Sequence, residues 1–116
     1  MNVQVPTPAT LKKYGLSEAE WCLLLADQDG GCGACGKVPS TGRLYIDHEH
    51  LRGWSKMKPE ERTKYVRGLL CYMCNKFRLA RGATVENLLG AAHYLERYQA
   101  RKDLMTPPDY FLGKVV

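Results

Sequence analysis

The sequence predicts a small α+β domain, because helix-type patterns near both ends of the chain enclose short strand-type segments and two pairs of cysteines. The 116 residues fit one domain. A domain of this size buries only roughly two thirds of the surface that its unfolded chain exposes. With 45% hydrophobic and 25% charged residues, the composition is that of a globular protein. A core this small would gain stability from an additional cross-link.

The first helix is predicted from its capping signals. Ser17 and Glu20 have the spacing of a capping box, and Leu16 and Trp21 occupy the two positions of a hydrophobic staple. A pair of glycines at positions 30 and 31 should end this helix. The ten residues at the start of the chain contain two prolines and are expected to form a loose arm.

The middle of the chain is expected to contain strands and a second helix. Residues 43–46 have the β-branched and aromatic composition of a short strand. Pro59 and the two glutamates after it open a helix that should end near Gly68. The segment LLCYMC then begins as a short strand and is expected to become helical after its cysteines.

The last helix should begin at Thr84, which is a favourable N-cap. Its apolar positions follow helical spacing and form either core or an interface between copies: Val85, Leu88, Leu89, Ala92, Leu95 and Tyr98 or Gln99. We therefore divide the chain into a loose N-terminal arm (1–10), a folded domain (11–105) and an apolar C-terminal tail (106–116).

The sequence shows no sign of a membrane protein. It lacks a run of about 20 apolar residues, the length needed to cross a bilayer, and its first residues lack the pattern of a secretory signal. We therefore expect a cytoplasmic protein with no membrane partner. In that reducing compartment, cysteines are expected to bind metal or to stay free. Cys22, which stands apart from the others, is expected to be a buried or idle thiol.

Two C-x-x-C pairs predict a structural zinc site. Each pair supplies two thiolates from one tight turn, and four thiolates complete the tetrahedral shell of Zn²⁺. A redox motif and buried free thiols are the alternatives, but two pairs without a βαβ pattern favour zinc. The expected ligands are Cys32, Cys35, Cys71 and Cys74.

Residues 52–81 form a basic window, with nine Lys or Arg against two Glu, in a chain whose net charge is +5. Such a segment suits a polyanion, most often nucleic acid, although charge alone fits a solvated basic face equally well. The candidate nucleic-acid contacts are Arg52, Lys56, Lys58, Arg67, Lys76, Arg78 and Arg81.

The stretch LYIDHEHLRGW and the residue after the last cysteine suggest a catalytic site. If zinc joins the cysteine pairs, Asp47 and His48 should lie near Asn75. Phosphodiester hydrolysis needs a base that deprotonates water and a hard cation that neutralises charge. His48 suits the first task, and oxygen ligands from Asp47 and Asn75 suit a Mg²⁺ ion. Taken singly, each residue has a simpler explanation, as a polar turn or a helix cap.

The order CGAC, YIDHEH, RGLLCYMCN resembles that of the recombination endonuclease VII family, which belongs to the zinc-stapled ββα-metal (His-Me finger, HNH-type) nucleases. The resemblance covers residues 11–98 and implies a ββα-metal core flanked by helices. It implies zinc at the four cysteines, His48 as the general base, and Asp47 and Asn75 as Mg²⁺ ligands. His50 matches a second histidine of the family, with a supporting role near the phosphate or in orienting the site.

The resemblance also implies what the protein acts on. The expected activity is a Mg²⁺-dependent endonuclease, with Mn²⁺ as an alternative ion, that cuts branched or distorted DNA such as a Holliday junction. A homodimer and a bacterial cytoplasm are implied with it. Arg78 stands where the best-known member has an acidic residue, which favours a phosphate contact there. Two other functions remain open: a sequence-tolerant HNH nicking nuclease and a non-catalytic zinc-ribbon DNA-binding module.

Overall fold

The computed structural model describes residues 3–80 and 82–104. They form a mixed structure of helices and one two-stranded sheet: α1 (Pro8–Lys13), α2 (Glu18–Asp27), β1 (Tyr45–His48), α3 (Pro59–Arg62), β2 (Val66–Leu70) and α4 (Val85–Asp103). The described residues also contain two 3₁₀ turns, Trp54–Lys56 and Thr63–Tyr65, and one π-helical turn, Cys74–Arg78. The chain divides into two compact units, residues 1–81 and 82–116. The predicted tail 106–116 lies outside the described residues.

The predicted start of α2 is confirmed. Ser17 Oγ accepts a hydrogen bond from the Glu20 backbone N–H at 3.0 Å, and Glu20 Oε1 accepts one from the Ser17 N–H at 2.8 Å. This reciprocal pair satisfies two of the N–H groups that a helix start leaves free. Trp21 and Leu25 are buried on the face that α2 turns to the core.

The N-terminal residues differ from the predicted loose arm. Val3 is buried, and the Gln4 N–H donates a hydrogen bond to the Gly42 carbonyl at 2.7 Å. α1 begins at Pro8, where Thr7 is the N-cap. Proline has no N–H to lose and its φ already suits the first turn, so this residue starts a helix instead of preventing one.

The sheet is an antiparallel pair with one irregularity. β1 covers the predicted strand only in part, since it begins at Tyr45 and continues through His48. The partners are Tyr45↔Leu70, Ile46↔Leu69, Asp47↔Gly68 and His48↔Val66. Arg67 has no partner in this register, as in a β-bulge, where one strand carries an extra residue.

The prediction that the second helix reaches Gly68 is wrong. α3 ends at Arg62, and Val66 already lies in β2. The reason is burial, since Gly68, Leu69 and Leu70 are buried in the strand. Packing against the core therefore overrides the helix preference that Pro59 and the two glutamates after it indicate.

The core is small and includes two of the cysteines. Leu69 and Cys74 are completely inaccessible to solvent. The buried hydrophobic residues are Val3, Leu11, Trp21, Leu25, Cys32, Leu44, Ile46, Leu69, Leu70 and Cys74. Because the cysteines belong to this cluster, the geometry of the core and that of the thiol site depend on each other.

The side chain of Gln28 links α2 to β2. Its Nε2 donates hydrogen bonds to the carbonyls of Gly31 (2.8 Å) and Leu69 (2.9 Å), and its Oε1 accepts one from the Leu69 N–H (2.9 Å). The Gly33 N–H also donates to the Leu69 carbonyl at 2.9 Å. A Cβ atom at Gly68 would lie 2.7 Å from Gln28 Oε1, so this linkage requires glycine at that position.

The cap predicted for the last helix is confirmed, because Thr84 Oγ1 accepts a hydrogen bond from the Asn87 N–H at 3.0 Å. α4 contains no buried residue in the described part of the chain. Its apolar positions include Leu88, Leu89 and Leu95, which are 39%, 55% and 63% exposed. No helix among the described residues is long and apolar enough to cross a membrane.

We predict that Gln28→Ala destabilises the protein by about 1–3 kcal/mol, because it removes partners from buried backbone groups of Leu69. Urea denaturation of the zinc-loaded protein measures the change. Gln4→Ala is the matched control, since the Gln4 side chain is exposed and its backbone bond survives; it should change stability by less than about 0.5 kcal/mol. Equal losses in both variants would contradict the role of the Gln28 amide.

Candidate active site and zinc site

The four paired cysteines form one cluster. Their Sγ atoms lie within 4.8 Å of one another, and those of Cys35 and Cys71 are 3.8 Å apart. A tetrahedral Zn²⁺ with Zn–S bonds of about 2.3 Å places its sulfur ligands about 3.8 Å apart. The cluster therefore fits a structural zinc ion held by Cys32, Cys35, Cys71 and Cys74.

Hydrogen-bond donors surround the sulfur atoms. The Ala34 N–H donates to Cys32 Sγ at 3.4 Å, and Arg78 Nη1 donates to Cys74 Sγ at 3.2 Å. Donors of this kind stabilise thiolate ligands and fix their orientation. In the structure Arg78 therefore donates a hydrogen bond to a candidate zinc ligand. The sequence predicted only a phosphate contact for this residue.

The thiols of this cluster differ in acidity. Burial raises the pKa of Cys32, but hydrogen bonds from the backbone N–H groups of Cys35, Cys71 and Ala34 bring it down to about 6. Burial, and to a smaller extent the neighbouring sulfurs, raise the pKa of Cys74 to about 12 against the opposing effect of Arg78. Zinc binds thiolates, so it must displace the proton that Cys74 otherwise keeps at neutral pH.

Asp47 is a buried carboxylate paired with Arg67. Arg67 Nε donates to Asp47 Oδ2 at 2.8 Å, and Nη2 donates to Oδ1 at 3.1 Å. The Asp47 side chain is 6% exposed and that of Arg67 is 42% exposed. The hydrogen bonds to Asp47 raise the pKa of Arg67. This bidentate pair compensates the cost of burying a charged carboxylate at the end of β1.

His48 lies in a cluster of aromatic rings. Its imidazole stacks on the Trp54 indole with ring centroids 3.8 Å apart and planes 13° from parallel. Tyr14 packs at 5.9 Å from His48 and 6.0 Å from Trp54, and His50 meets His48 edge-on at 5.4 Å. Within the described ranges, neither ring nitrogen of His48 has a hydrogen-bond partner. Both nitrogens are thus available to a water molecule or a substrate.

The surroundings of His48 favour its neutral form. Partial burial lowers the pKa of the imidazole, and the neighbouring His50 lowers it further, whereas Asp47 opposes both effects. Since the ordinary pKa of histidine is already near 6.5, the ring is neutral at neutral pH. A neutral imidazole is able to accept a proton from water.

The structure brings the predicted site residues together only in part. Asp47, His48 and His50 lie at the end of β1 and just after it. Asn75 donates its backbone N–H to the Cys71 carbonyl at 2.9 Å. Among the described residues, no hydrogen bond joins the Asn75 side chain to Asp47 or His48. Asn75 is tied instead to the second cysteine pair.

The predicted nucleic-acid contacts fall into two groups. Arg67 and Arg78 bind Asp47 and Cys74 within the protein. All six of the described residues are exposed, but four of them have no side-chain hydrogen bond or ion pair among the described residues: Arg52, Lys56, Lys58 and Lys76. Arg81 lies outside the described residues.

Three aromatic residues form a surface patch beside Lys76. Tyr72 and Phe77 are 51% and 58% exposed and meet at 6.1 Å between centroids, nearly perpendicular. Tyr45 continues the row at 6.2 Å from Tyr72. We call Tyr45, Tyr72 and Phe77 the aromatic patch.

Sequence reasoning missed the residues that hold His48. Trp54 lies within the motif LYIDHEHLRGW, yet nothing in the spacing of the motif shows that its ring stacks on His48. Arg62 is part of the basic window, but its guanidinium donates to the carbonyls of Lys13, Trp54 and Ser55. Only the three-dimensional path of the loop reveals both contacts.

Comparison with known proteins agrees with the motif order. The profile of the recombination endonuclease VII family matches residues 8–97. The Gene 59 protein of Mycobacterium phage D29 is 36% identical over 90 residues, which cover 75% of this chain and 47% of that protein. The Gene 59 protein of Mycobacterium phage L5 is 36% identical over 70 residues, covering 60% of this chain and 36% of that protein. The matches thus cover less than half of the length of each of these two relatives. No solved structure matches the chain.

We predict that Cys71→Ser loses bound zinc and destabilises the fold by on the order of 4 kcal/mol or more, as loss of a structural metal does. Metal analysis and thermal melting measure the two effects. Cys22→Ser is the matched control, because Cys22 is exposed on α2 and lies outside the cluster. A Cys71→Ser protein with the metal content and melting temperature of the unmodified chain would contradict the zinc assignment.

Proposed function

The chain belongs to the recombination endonuclease VII family, and from that premise we propose that it is a Mg²⁺-dependent endonuclease that cuts branched or distorted DNA. The antiparallel hairpin β1–β2 and the π-helical turn Cys74–Arg78 would form its ββα-metal core. The observation that carries the proposal is the neutral imidazole of His48, which has no hydrogen-bond partner among the described residues and directly follows the buried Asp47 in β1.

His48 is the general base of the proposed reaction. Its unprotonated ring nitrogen accepts a proton from a water molecule as the water oxygen bonds to the scissile phosphorus. The bond from phosphorus to the leaving oxygen breaks, and that oxygen takes a proton from solvent. The neutral state favoured by burial keeps the base competent at neutral pH. His50 is exposed beside it and is available to contact a phosphate oxygen.

Asp47 and Asn75 are the proposed Mg²⁺ ligands, with Mn²⁺ as an alternative ion. When bound, the ion would supply positive charge that stabilises the developing charge on the phosphate. A carboxylate has about four lone-pair positions. The two hydrogen bonds from Arg67 therefore leave positions on Asp47 free for a metal. Asn75 directly follows the zinc ligand Cys74, so the cluster would set its position.

DNA binding is assigned to the basic window and to the aromatic patch. The exposed cations bind phosphates irrespective of sequence: Arg52, Lys56, Lys58 and Lys76. Exposed aromatic rings stack on bases that have left the duplex, and such bases occur where DNA is branched or distorted. The aromatic patch beside Lys76 thus favours these substrates over regular duplex.

A homodimer would let the protein cut two strands of a junction. Each copy contributes one catalytic site, so paired cuts need two copies. The exposed apolar positions of α4, which include Leu88, Leu89 and Leu95, provide a surface that a second copy would bury.

We predict that His48→Ala cuts DNA about a hundredfold to ten-thousandfold more slowly, the usual effect of losing a general base, while DNA binding and zinc content stay unchanged. Single-turnover cleavage of labelled DNA with saturating Mg²⁺ measures the rate. His93→Ala is the matched control, because His93 is exposed on α4 and bonded to Glu96. Cleavage by His48→Ala at the full rate would leave a zinc-ribbon DNA-binding module as the better explanation of the fold.

We further predict that the protein cuts a four-way junction faster than a linear duplex of the same sequence. Denaturing gels of singly labelled arms measure the rates and show whether the strands are cut in pairs. Light scattering at micromolar concentration should report a dimer. Equal rates on both substrates with single nicks by a monomer would contradict the junction specificity and support a sequence-tolerant HNH nicking nuclease.

A further inference from the structure

We infer that Trp54 is a positioning residue for the proposed reaction: its indole ring, locked by Arg62, holds the His48 imidazole in its reactive orientation. The inference rests on the proposed role of His48 as the general base. It gives part of the loop between β1 and α3 a function in addition to the roles proposed for the catalytic residues.

His48 is oriented by a ring contact and not by a hydrogen bond within the described ranges. A catalytic histidine usually has one ring nitrogen bonded to a carboxylate or carbonyl, which fixes the ring while the other nitrogen reacts. Within the described ranges, His48 has no such bond. The nearly parallel stack on Trp54, with centroids 3.8 Å apart and planes at 13°, is therefore the contact that restricts rotation of the imidazole.

The geometry of the stack suits this task. Stacking covers a face of the imidazole, whereas the lone pair of the unprotonated nitrogen and the N–H of the other nitrogen lie in the plane of the ring and are not directed at the indole. Tyr14 packs against both rings, at 5.9 Å from His48 and 6.0 Å from Trp54. The imidazole is thus held through its face while its nitrogens remain accessible.

Trp54 is held by the backbone of its loop and by Arg62. Gly53 has a φ of 83°, a left-handed conformation that glycine adopts without strain, and it turns the chain into the 3₁₀ turn Trp54–Lys56. The Arg62 guanidinium lies 5.4 Å from the centroid of the indole. It also donates hydrogen bonds to the carbonyls of Trp54 (3.3 Å), Ser55 (3.0 Å) and Lys13 (3.0 Å).

These bonds tie two segments, the end of α1 and the 3₁₀ turn, to a side chain of α3. Lys13 is the last residue of α1, and the carbonyls at a helix end lack partners within the helix. Arg62 binds one of them together with two carbonyls of the loop. The indole therefore has a fixed position relative to α1 and α3. Because the His48 imidazole stacks on it, the position of the imidazole is restricted as well.

The test is a double-mutant cycle between Trp54 and His48. Trp54→Leu removes the aromatic face but keeps an apolar side chain. We expect it to lower kcat about tenfold to a hundredfold, as misplacement of a catalytic group does, with KM changed less than about twofold because DNA contacts remain. In the His48→Ala background the same change should have no further effect, since Trp54 acts only through the imidazole. Trp54→Phe, which retains an aromatic face, should recover most of the rate.

A spectroscopic measurement tests the contact without any cleavage. The indole ring current should shift the His48 ring protons upfield in the zinc-loaded protein, with His93 as the internal reference. Trp54→Leu should abolish the shift, and Trp54→Phe should retain part of it. Arg62→Lys keeps the charge but loses the fork of donors, so it should reduce both the shift and kcat. Tyr94→Ala, which removes an exposed ring on α4, should alter neither.

The outcomes separate this inference from the proposed function. Full activity of His48→Ala would overturn the general base itself. If His48→Ala is inactive but Trp54→Leu has the full rate or an unchanged ring-current shift, the positioning role is wrong. An equal loss caused by Trp54→Leu in both backgrounds would also overturn it, because Trp54 would then act independently of His48. Zinc content and thermal melting show whether each variant is folded. If Trp54→Leu does not fold, the rate and the ring-current shift of Trp54→Phe are compared with those of the unmodified protein instead.

Discussion

Four sulfur atoms within 4.8 Å of one another join two segments that are far apart in the sequence. The hydrophobic core is small, and two of its buried members are themselves cysteines of this cluster. Closing the cluster brings β2 and the π-helical turn after it against the first cysteine pair. The position of Asn75 and the surroundings of β1 follow from that closure, so the proposed catalytic residues depend on a site that takes no part in the chemistry.

A second constraint is the ion pair at the end of β1. Asp47 is buried, and removing the partner of a buried charge typically costs about 3–5 kcal/mol. Arg67 is the residue without a partner in the strand register, and it donates both of its hydrogen bonds to Asp47. The irregularity in the strand register and the ion pair therefore share one residue, Arg67.

Local signals predicted the features that depend on neighbouring residues in the chain. The capping box at Ser17, the cap at Thr84 and the grouping of the four cysteines were correct. The start of β2 was not predicted, because burial of Leu69 and Leu70 decides it. The internal partners of Arg67 and Arg78 were also missed, since charge along a sequence does not reveal whether a guanidinium meets a phosphate, a carboxylate or a sulfur.

The Gln28 linkage has a consequence for how the sheet meets other chains. A two-stranded sheet leaves outward N–H and C=O groups on its edges, where a strand of another molecule can pair and begin aggregation. In β2 the outward groups of Leu69 are already bonded, its N–H to Gln28 and its carbonyl to Gln28 and Gly33. At Leu69 a side-chain amide and a turn thus occupy the place of a third strand, so these two groups are not open to intermolecular pairing.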